Sequence, residues 1–300
     1  QRNTTRSHRL LDSVRGAGVY LASDNTNAES SASGLFKTFD SGGFTLDAAN
    51  ALNQSGGTYV AWNWKAGGSA SSNTNGTITS QVSANPSAGF SIVTYTGNGT
   101  AGATVGHGLS SVPTLVIAKS RTVSGKHWAT YVESLGNTVR IDLESSGAKI
   151  TGTGAWNSTT PTSSLVTIGS QSDVNTSGAG QLMYCFHSVD GYLKVGSYEG
   201  NGNADGVFVH CGFSPAFIIT KSTAATGWRM IDNRRTPFNP SKASIYPDSN
   251  DAEYTGSGHE TDFTASGFKM RNSNSRLNTD GQTYIFIAFA ETPFKHSTAR

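Results

Sequence analysis

The sequence is short of charge: Asp, Glu, Lys and Arg make up 14% of its 300 residues and leave a formal net charge of +2. Soluble domains usually carry about 25% charged residues, so Ser, Thr, Asn and Gly must cover this surface instead. With so small a positive excess there is no electrostatic basis for a nucleic-acid partner or for an anionic membrane. Long apolar runs are missing too. None reaches the ~18 residues of a membrane span and no signal-peptide pattern opens the chain, so no membrane insertion is expected. There are two cysteines, Cys185 and Cys211, in strand-like stretches. Neither their number nor their spacing describes a disulfide framework, and both are expected to be buried as small hydrophobes. No segment sustains the 3.6-residue period of an amphipathic helix.

Motifs that carry chemistry are equally scarce. There is no GxSxG elbow, and the 7 histidines include no HxxxH or HExxH spacing. Gly97-Asn98-Gly99-Thr100-Ala101-Gly102 spells GxGxxG. A dinucleotide site needs a helix to open at the last glycine, and Ala103-Thr104-Val105 lead into a strand instead. Ser146 and Lys149 form an S-x-x-K in a loop, whereas serine acyl-enzymes place that pair on a helix. Residues 24–34, DNTNAESSASG, alternate oxygen side chains, but the glycine and glutamate stand at the wrong offsets for a calcium loop. No metal and no cofactor is expected.

What the sequence does contain is a repeat. GFSIVTYTGNGT (89–100) and VGHGLSSVPTLVIAKS (105–120) return about 102 residues later as GYLKVGSYEGNGN (191–203) and FVHCGFSPAFIITKS (208–222). Tyr95 answers to Tyr198, Gly97-Asn98-Gly99 to Gly200-Asn201-Gly202, Pro113 to Pro215 and Lys119-Ser120 to Lys221-Ser222. Each copy, termed A, reads as strand, Gly-Asn-Gly tight turn, strand, proline-closed turn and a buried β-branched strand ending at an exposed lysine. His107 and His210 stand just before a turn and are expected to hydrogen-bond it.

A second half, B, opens at HRLLDSVRG (8–16), HWATYVESLG (127–136) and GWRMIDNRR (227–235). Each B half closes on an aromatic strand, at 58–67, 181–189 and 283–294, where Trp62 and Trp64 match Tyr184 and Phe186, and Ile287 and Phe289. An aromatic that isoleucine can replace fills a core. Trp128 and Trp228 are also equivalent and are expected to cover a sandwich end.

The order B, A, B, A, B and a 35% hydrophobic content predict an all-β fold of tandem antiparallel, jelly-roll-like β-sandwich repeats with two to three cores. The expected divisions are a B half-domain at 1–67, a linker at 68–88, and sandwiches at 89–188 and 189–300. An A half for the first B is expected from upstream residues or from another chain by strand complementation.

Two sets of candidate functional residues remain. Paired carboxylates for glycoside hydrolysis are available as Glu133, Asp142 and Glu144, or as Asp248, Asp251 and Glu253, and a solvated loop edge is the plainer reading of both. Trp156 stands in TGTGAWNSTTPTSS with Asn157 beside it. A flat apolar platform among short hydrogen-bonding side chains is what sugar binding uses, which makes Trp156 and Asn157 the expected binding residues.

These phrases, together with HRLLDSVRGAGVYLASDNTNAE, GFTLDAANALNQSGGTYVAWNWKAGG and the terminal TYIFIAFAETPFKHSTAR, resemble a family of uncharacterised repeat domains in structural proteins of marine tailed bacteriophages, many of them tail-fibre proteins. The resemblance implies an extracellular virion protein, a homotrimer, and a role beside other virion proteins. It supplies no catalytic or ligand residues. The middle B half departs from the pattern, with Glu133-Ser134-Leu135-Gly136 where the outer halves have Asp-x-x-Arg, the elements of a turn salt bridge. The expected function is non-enzymatic recognition of a host cell-surface glycan or lipopolysaccharide by a tail fibre. A purely structural capsid fibre, decoration or sheath protein and a polysaccharide depolymerase are the alternatives.

Overall fold

The computed structural model describes residues 1–47 and 51–292. Residues 293–294 of the expected closing segment 283–294, and the residues from there to 300 with His296, lie outside the described residues. The fold is all-β and antiparallel. The first part contributes β1 (Arg9–Leu10), β2 (Val19–Ala22), β3 (Ser30–Ser31), β4 (Phe36–Asp40) and β5 (Gly43–Leu46). Then come β6 (Ser71–Asn73), β7 (Ser80–Asn85), β8 (Phe90–Thr96), β9 (Ala103–Gly106), β10 (Leu115–Ser120), β11 (Ala129–Val132), β12 (Val139–Asp142), β13 (Ile150–Thr151), β14 (Leu165–Ile168) and β15 (Gly180–Phe186). The last part holds β16 (Leu193–Glu199), β17 (Phe208–His210), β18 (Pro215–Ser222), β19 (Arg229–Asp232), β20 (Thr261–Thr264), β21 (Gly267–Met270) and β22 (Thr283–Ala290). One α-helical turn, α1, spans Ser172–Asn175, and short 3-10 turns span Pro86–Ala88 and Glu133–Leu135.

The middle part is built on one sheet in the order β13-β12-β11-β10-β15-β8-β7-β6, faced by the pair β14-β9. In the last part the order β16-β22-β18-β19 faces β17-β21-β20. Residues 68–88 therefore correct the expected linker: β7 pairs with β8 from Ser80↔Tyr95 to Asn85↔Phe90, and β6 pairs with β7. At this end of the sheet few apolar residues are needed: β7 buries Val82, and the segment between the two strands buries Ile78.

Strand alternation sends each central strand's side chains to two cores. In β15, Leu182, Tyr184 and Phe186 face a central cluster while Met183 and Cys185 face β9 and β14. In β22, Ile285, Ile287 and Phe289 join the central cluster while Phe286 and Ala288 face the last part's second layer. The central cluster also takes Leu21, Trp128 and Trp228, with Trp62 and Trp64 packed against it. So the cores are not one per sandwich: all three parts share the middle one. Residues 58–67 form no strand, correcting the expected closing strand of the first part, yet they keep its alternation, with Trp62, Trp64 and Ala66 turned in and Ala61, Asn63 and Lys65 exposed. Trp64, Phe186 and Phe289, at equivalent positions, form a triangle with ring centroids 6.5, 6.1 and 5.4 Å apart.

Corresponding hydrogen bonds run around this core. Trp128 Nε1 donates to Ala22 O of the first part, and Trp228 Nε1 to Asp142 O of the middle part, both at 3.0 Å. Both indoles are buried inside the central core and do not cover a sandwich end. Glu29 N donates to Arg121 O (2.7 Å), Lys149 N to Thr223 O (2.9 Å) and Glu253 N to Arg2 O (2.7 Å), linking first to middle, middle to last and last to first.

The Asp-x-x-Arg turns are ion pairs: Arg15 Nε lies 2.5 Å from Asp12 Oδ2 and Arg235 Nε 2.6 Å from Asp232 Oδ2. Each guanidinium also meets an aromatic of the next part, Arg15 donating to Tyr184 Oη at 3.1 Å and Arg235 lying over the Trp62 ring at 5.4 Å. The remaining part offers Ile287 at that position, and the middle turn packs Leu135 against the central cluster instead. An apolar partner explains why that turn lacks the pair.

Truncating Trp228 to Ala should cost about 3–5 kcal/mol, as large buried aromatics do. Trp228→Phe keeps most of the ring and should lose about 1 kcal/mol with the bond to Asp142 O. Denaturant titration of the two variants checks the ordering.

Candidate functional site

Among the described residues His127, Asp142 and Glu144 converge, each offering one ligand atom, and these atoms all lie within 4.8 Å of one another. His127 stands two residues before β11, and β12 ends at Asp142, so antiparallel pairing of Ala129 with Asp142 brings them side by side. His127 Nδ1 hydrogen-bonds Glu144 Oε1 and lies 3.7 Å from Asp142 Oδ2. The other Glu144 oxygen accepts Trp128 N at 3.0 Å. Arg140 Nε stands 3.4 Å from Asp142 Oδ1, and Arg140 Nη1 donates to Asp173 Oδ2 at 2.6 Å.

Burial pushes the Asp142 carboxyl up to about 6, against the pull of Arg140. Burial opposes a charge on His127, but the hydrogen bond and charge of Glu144 outweigh it and raise the imidazole above 6.5. One imidazole and two carboxylates are a donor set that divalent cations accept. Here the Arg140 guanidinium already supplies positive charge, and a backbone N–H holds one Glu144 oxygen. In the last part Asp248 likewise accepts a hydrogen bond from the backbone of Trp228, with Gly227 in place of the histidine. The recurring element is thus a carboxylate that pins the strand carrying the buried tryptophan.

The other carboxylates named from sequence are dispersed. Glu133 is exposed on its own turn. Glu253 is gripped by Arg2 at 2.7 Å and Arg235 at 3.0 Å. Burial tends to raise its pKa, but these guanidinium bonds hold it below the ordinary value. The loop 24–34 is closed by protein cations: Lys119 Nζ donates to Thr26 O at 3.2 Å and Arg121 Nε to Glu29 at 2.7 Å. Lys221 Nζ reaches Gly147 O in the corresponding way, at 2.9 Å. Both lysines are buried, not exposed at their strand ends, and burial lowers each to about 8.

Trp156 is corrected as well. It is 1% exposed, edge-on to Tyr131 with centroids 5.8 Å apart, inside the core between β15 and β14. Asn157 and Ser158 both take left-handed φ, 50° and 49°, and this turn tips the tryptophan inward, leaving Asn157 half-buried beside it. Neither residue presents a platform. His107 does bond its turn, accepting Leu109 N on Nδ1 at 3.3 Å, while His210 is exposed. Cys185 and Cys211 are free and buried.

Sequence reasoning missed a groove in the last part. Asp232 Oδ1 accepts Arg234 N and Arg235 N at 3.0 and 2.8 Å, fixing the start of the loop after β19. The Asn239 side chain pairs with both backbone groups of Phe263 on β20, at 2.7 and 2.9 Å, fixing its end. Between them Phe238 stands 80% exposed beside a cavity of about 350 Å³ that Asn233, Arg234, Phe263 and Glu291 also line. Asn233 Oδ1 is buried there without a hydrogen-bond partner, and Arg234 Nη2 lies 3.5 Å from Glu291. The only sequence signal was Thr236-Pro237-Phe238-Asn239-Pro240, an aromatic in a proline-bounded loop.

A family model described as a domain of unknown function, DUF7483, matches residues 1–293. No curated protein and no solved structure matches.

Folding linkage gives the cluster a test. A raised histidine adds stability that is complete below its ordinary value and is lost as pH rises through the folded one. The difference in melting temperature between the wild type and His127→Gln should therefore be larger at about pH 5.5 than at about pH 8.5. Calorimetry at the two pH values measures it.

Proposed function

We propose that this chain, which belongs to the DUF7483 family, is a non-catalytic structural and recognition module of a virion fibre whose last part binds a surface glycan in the groove beside Phe238. Phe238 carries the reading: a solvent-facing aromatic on a loop held at both ends, next to an amide oxygen with no partner and an exposed ion pair. Sugars present C–H faces to aromatic rings and hydroxyls to amide and charged groups, and a site fixed beforehand loses little entropy on binding them. The virion setting rests on the resemblance of the repeated phrases to tail-fibre-like domains. Other virion proteins and further copies of the chain, as a homotrimer, belong to the same proposal.

Two of the candidate carboxylates favour the non-catalytic reading over a depolymerase. Glu144 and Glu253 have both oxygens engaged by protein donors. Neither is free to protonate a leaving group or to attack a sugar.

An array of bacterial surface polysaccharides and lipopolysaccharides should give saturable binding to the wild-type protein. Phe238→Ala should weaken it at least about tenfold while changing stability by under about 0.5 kcal/mol, as an exposed substitution does. Absence of binding by the wild type, or full binding by the variant, contradicts the assignment.

A further inference from the structure

Three equivalent backbone bonds place an open strand position in the first part. Arg121 N donates to Gly180 O at 2.8 Å, Thr223 N to Thr283 O at 3.0 Å and Arg2 N to Thr58 O at 2.7 Å. In the first two cases the acceptor begins a closing strand, and a strand of the A type lies between that strand and the B hairpin: β10 between β15 and β11, β18 between β22 and β19. In the third, β1 pairs with β2 alone and residues 58–67 run extended outside any ladder among the described residues.

A second feature sits at the same end. The A-type Gly-Asn-Gly turns are held by a buried asparagine: Asn175 Oδ1 accepts Asn98 N and Gly99 N at 2.9 and 3.1 Å, and Asn278 Oδ1 accepts Asn201 N at 2.9 Å. Each of these asparagines also donates to the carbonyl six residues earlier, Gly169 O at 2.9 Å and Asn272 O at 3.0 Å. Gln54 N donates to Tyr59 Oη as Thr279 N donates to Tyr284 Oη, at 2.8 and 2.9 Å, which aligns Asn53 with Asn278. Asn53 Nδ2 in turn donates to Asp47 O, six residues earlier, at 3.3 Å, yet Asn53 is exposed and, among the described residues, its oxygen accepts no turn N–H. Phe44, at the position of the fully buried Phe268, is 36% exposed.

We propose that the first part is a strand acceptor for one A-type polypeptide segment: a strand, a Gly-Asn-Gly turn latched by Asn53, and an alternating apolar strand that enters antiparallel between β1 and residues 58–67. Its inward residues join the central core as Leu115 and Phe217 do in the two filled positions. Main-chain pairing supplies the affinity and the alternation supplies the specificity. A second copy of this chain is a poor donor, because β10 and β18 are each hydrogen-bonded on both edges in their own sheets. The occupant is therefore a polypeptide segment other than residues 1–300 that carries this pattern.

The probe is a synthetic peptide of residues 90–120 added to the 300-residue protein, followed by fluorescence anisotropy and amide hydrogen exchange. Saturable binding is expected, with protection of the amides of 59–66 rising at least about tenfold. Asn53→Ala should leave the free protein's melting temperature close to wild type and weaken peptide binding, whereas a peptide carrying Ile117→Pro should not bind. Failure of the unmodified peptide to bind, or binding that leaves 59–66 unprotected, overturns the proposal. So does a peptide-free dimer in which 59–66 are already protected, which would give the position to a second copy.

Discussion

The triangle of Trp64, Phe186 and Phe289 is the contact on which the other arrangements depend. Each ring comes from the equivalent position of a closing segment, so their meeting sets where three separate stretches of chain must lie. Once they meet, Tyr184, Trp62 and Ile287 are aimed at the neighbouring turns, and the buried indoles of Trp128 and Trp228 reach the carbonyls of the preceding part. With few charges available, the fold uses apolar alternation toward this core and backbone hydrogen bonds around it.

This arrangement separates two kinds of buried cation and acid. Asp12–Arg15 and Asp232–Arg235 tie one part to the aromatic of another, and Glu144 and Asp248 pin strands that carry a tryptophan. Lys119 and Lys221 cap loop carbonyls of the part before them. Chemistry-bearing residues are thus absorbed by assembly, and the groove at Phe238 lies outside that web, with a solvent-facing aromatic beside a buried amide oxygen that has no partner.

Much of this was legible in the sequence. Period-two alternation fixed the strands around Tyr95, Ile117, Tyr184 and Phe286, and the replacement of Trp62 by Tyr184 and Ile287 identified them as core residues. The Gly-Asn-Gly turns were recognised, although the latching Asn175 and Asn278 were not, because a buried asparagine among Ser, Thr and Asn looks like loop composition. The same composition disguised β6 and β7, the edge strand and its neighbour, which have little to bury. Trp156 misled because its polar neighbours suggested exposure, while the two left-handed residues that follow it turn the ring inward. Whether Thr58 to Gly67 would be paired could not be read from the segment itself, since pairing depends on what lies beside it.

Hydrogen exchange on Phe186→Ala is the most direct measurement of the shared core. If one core joins the three parts, loss of this ring from the middle part should lower protection in β2, in residues 58–67 and in β22 as well as in β15, with a single cooperative unfolding transition. Loss confined to the middle part, with β22 and 58–67 unchanged and a second transition preserved, would contradict a common core.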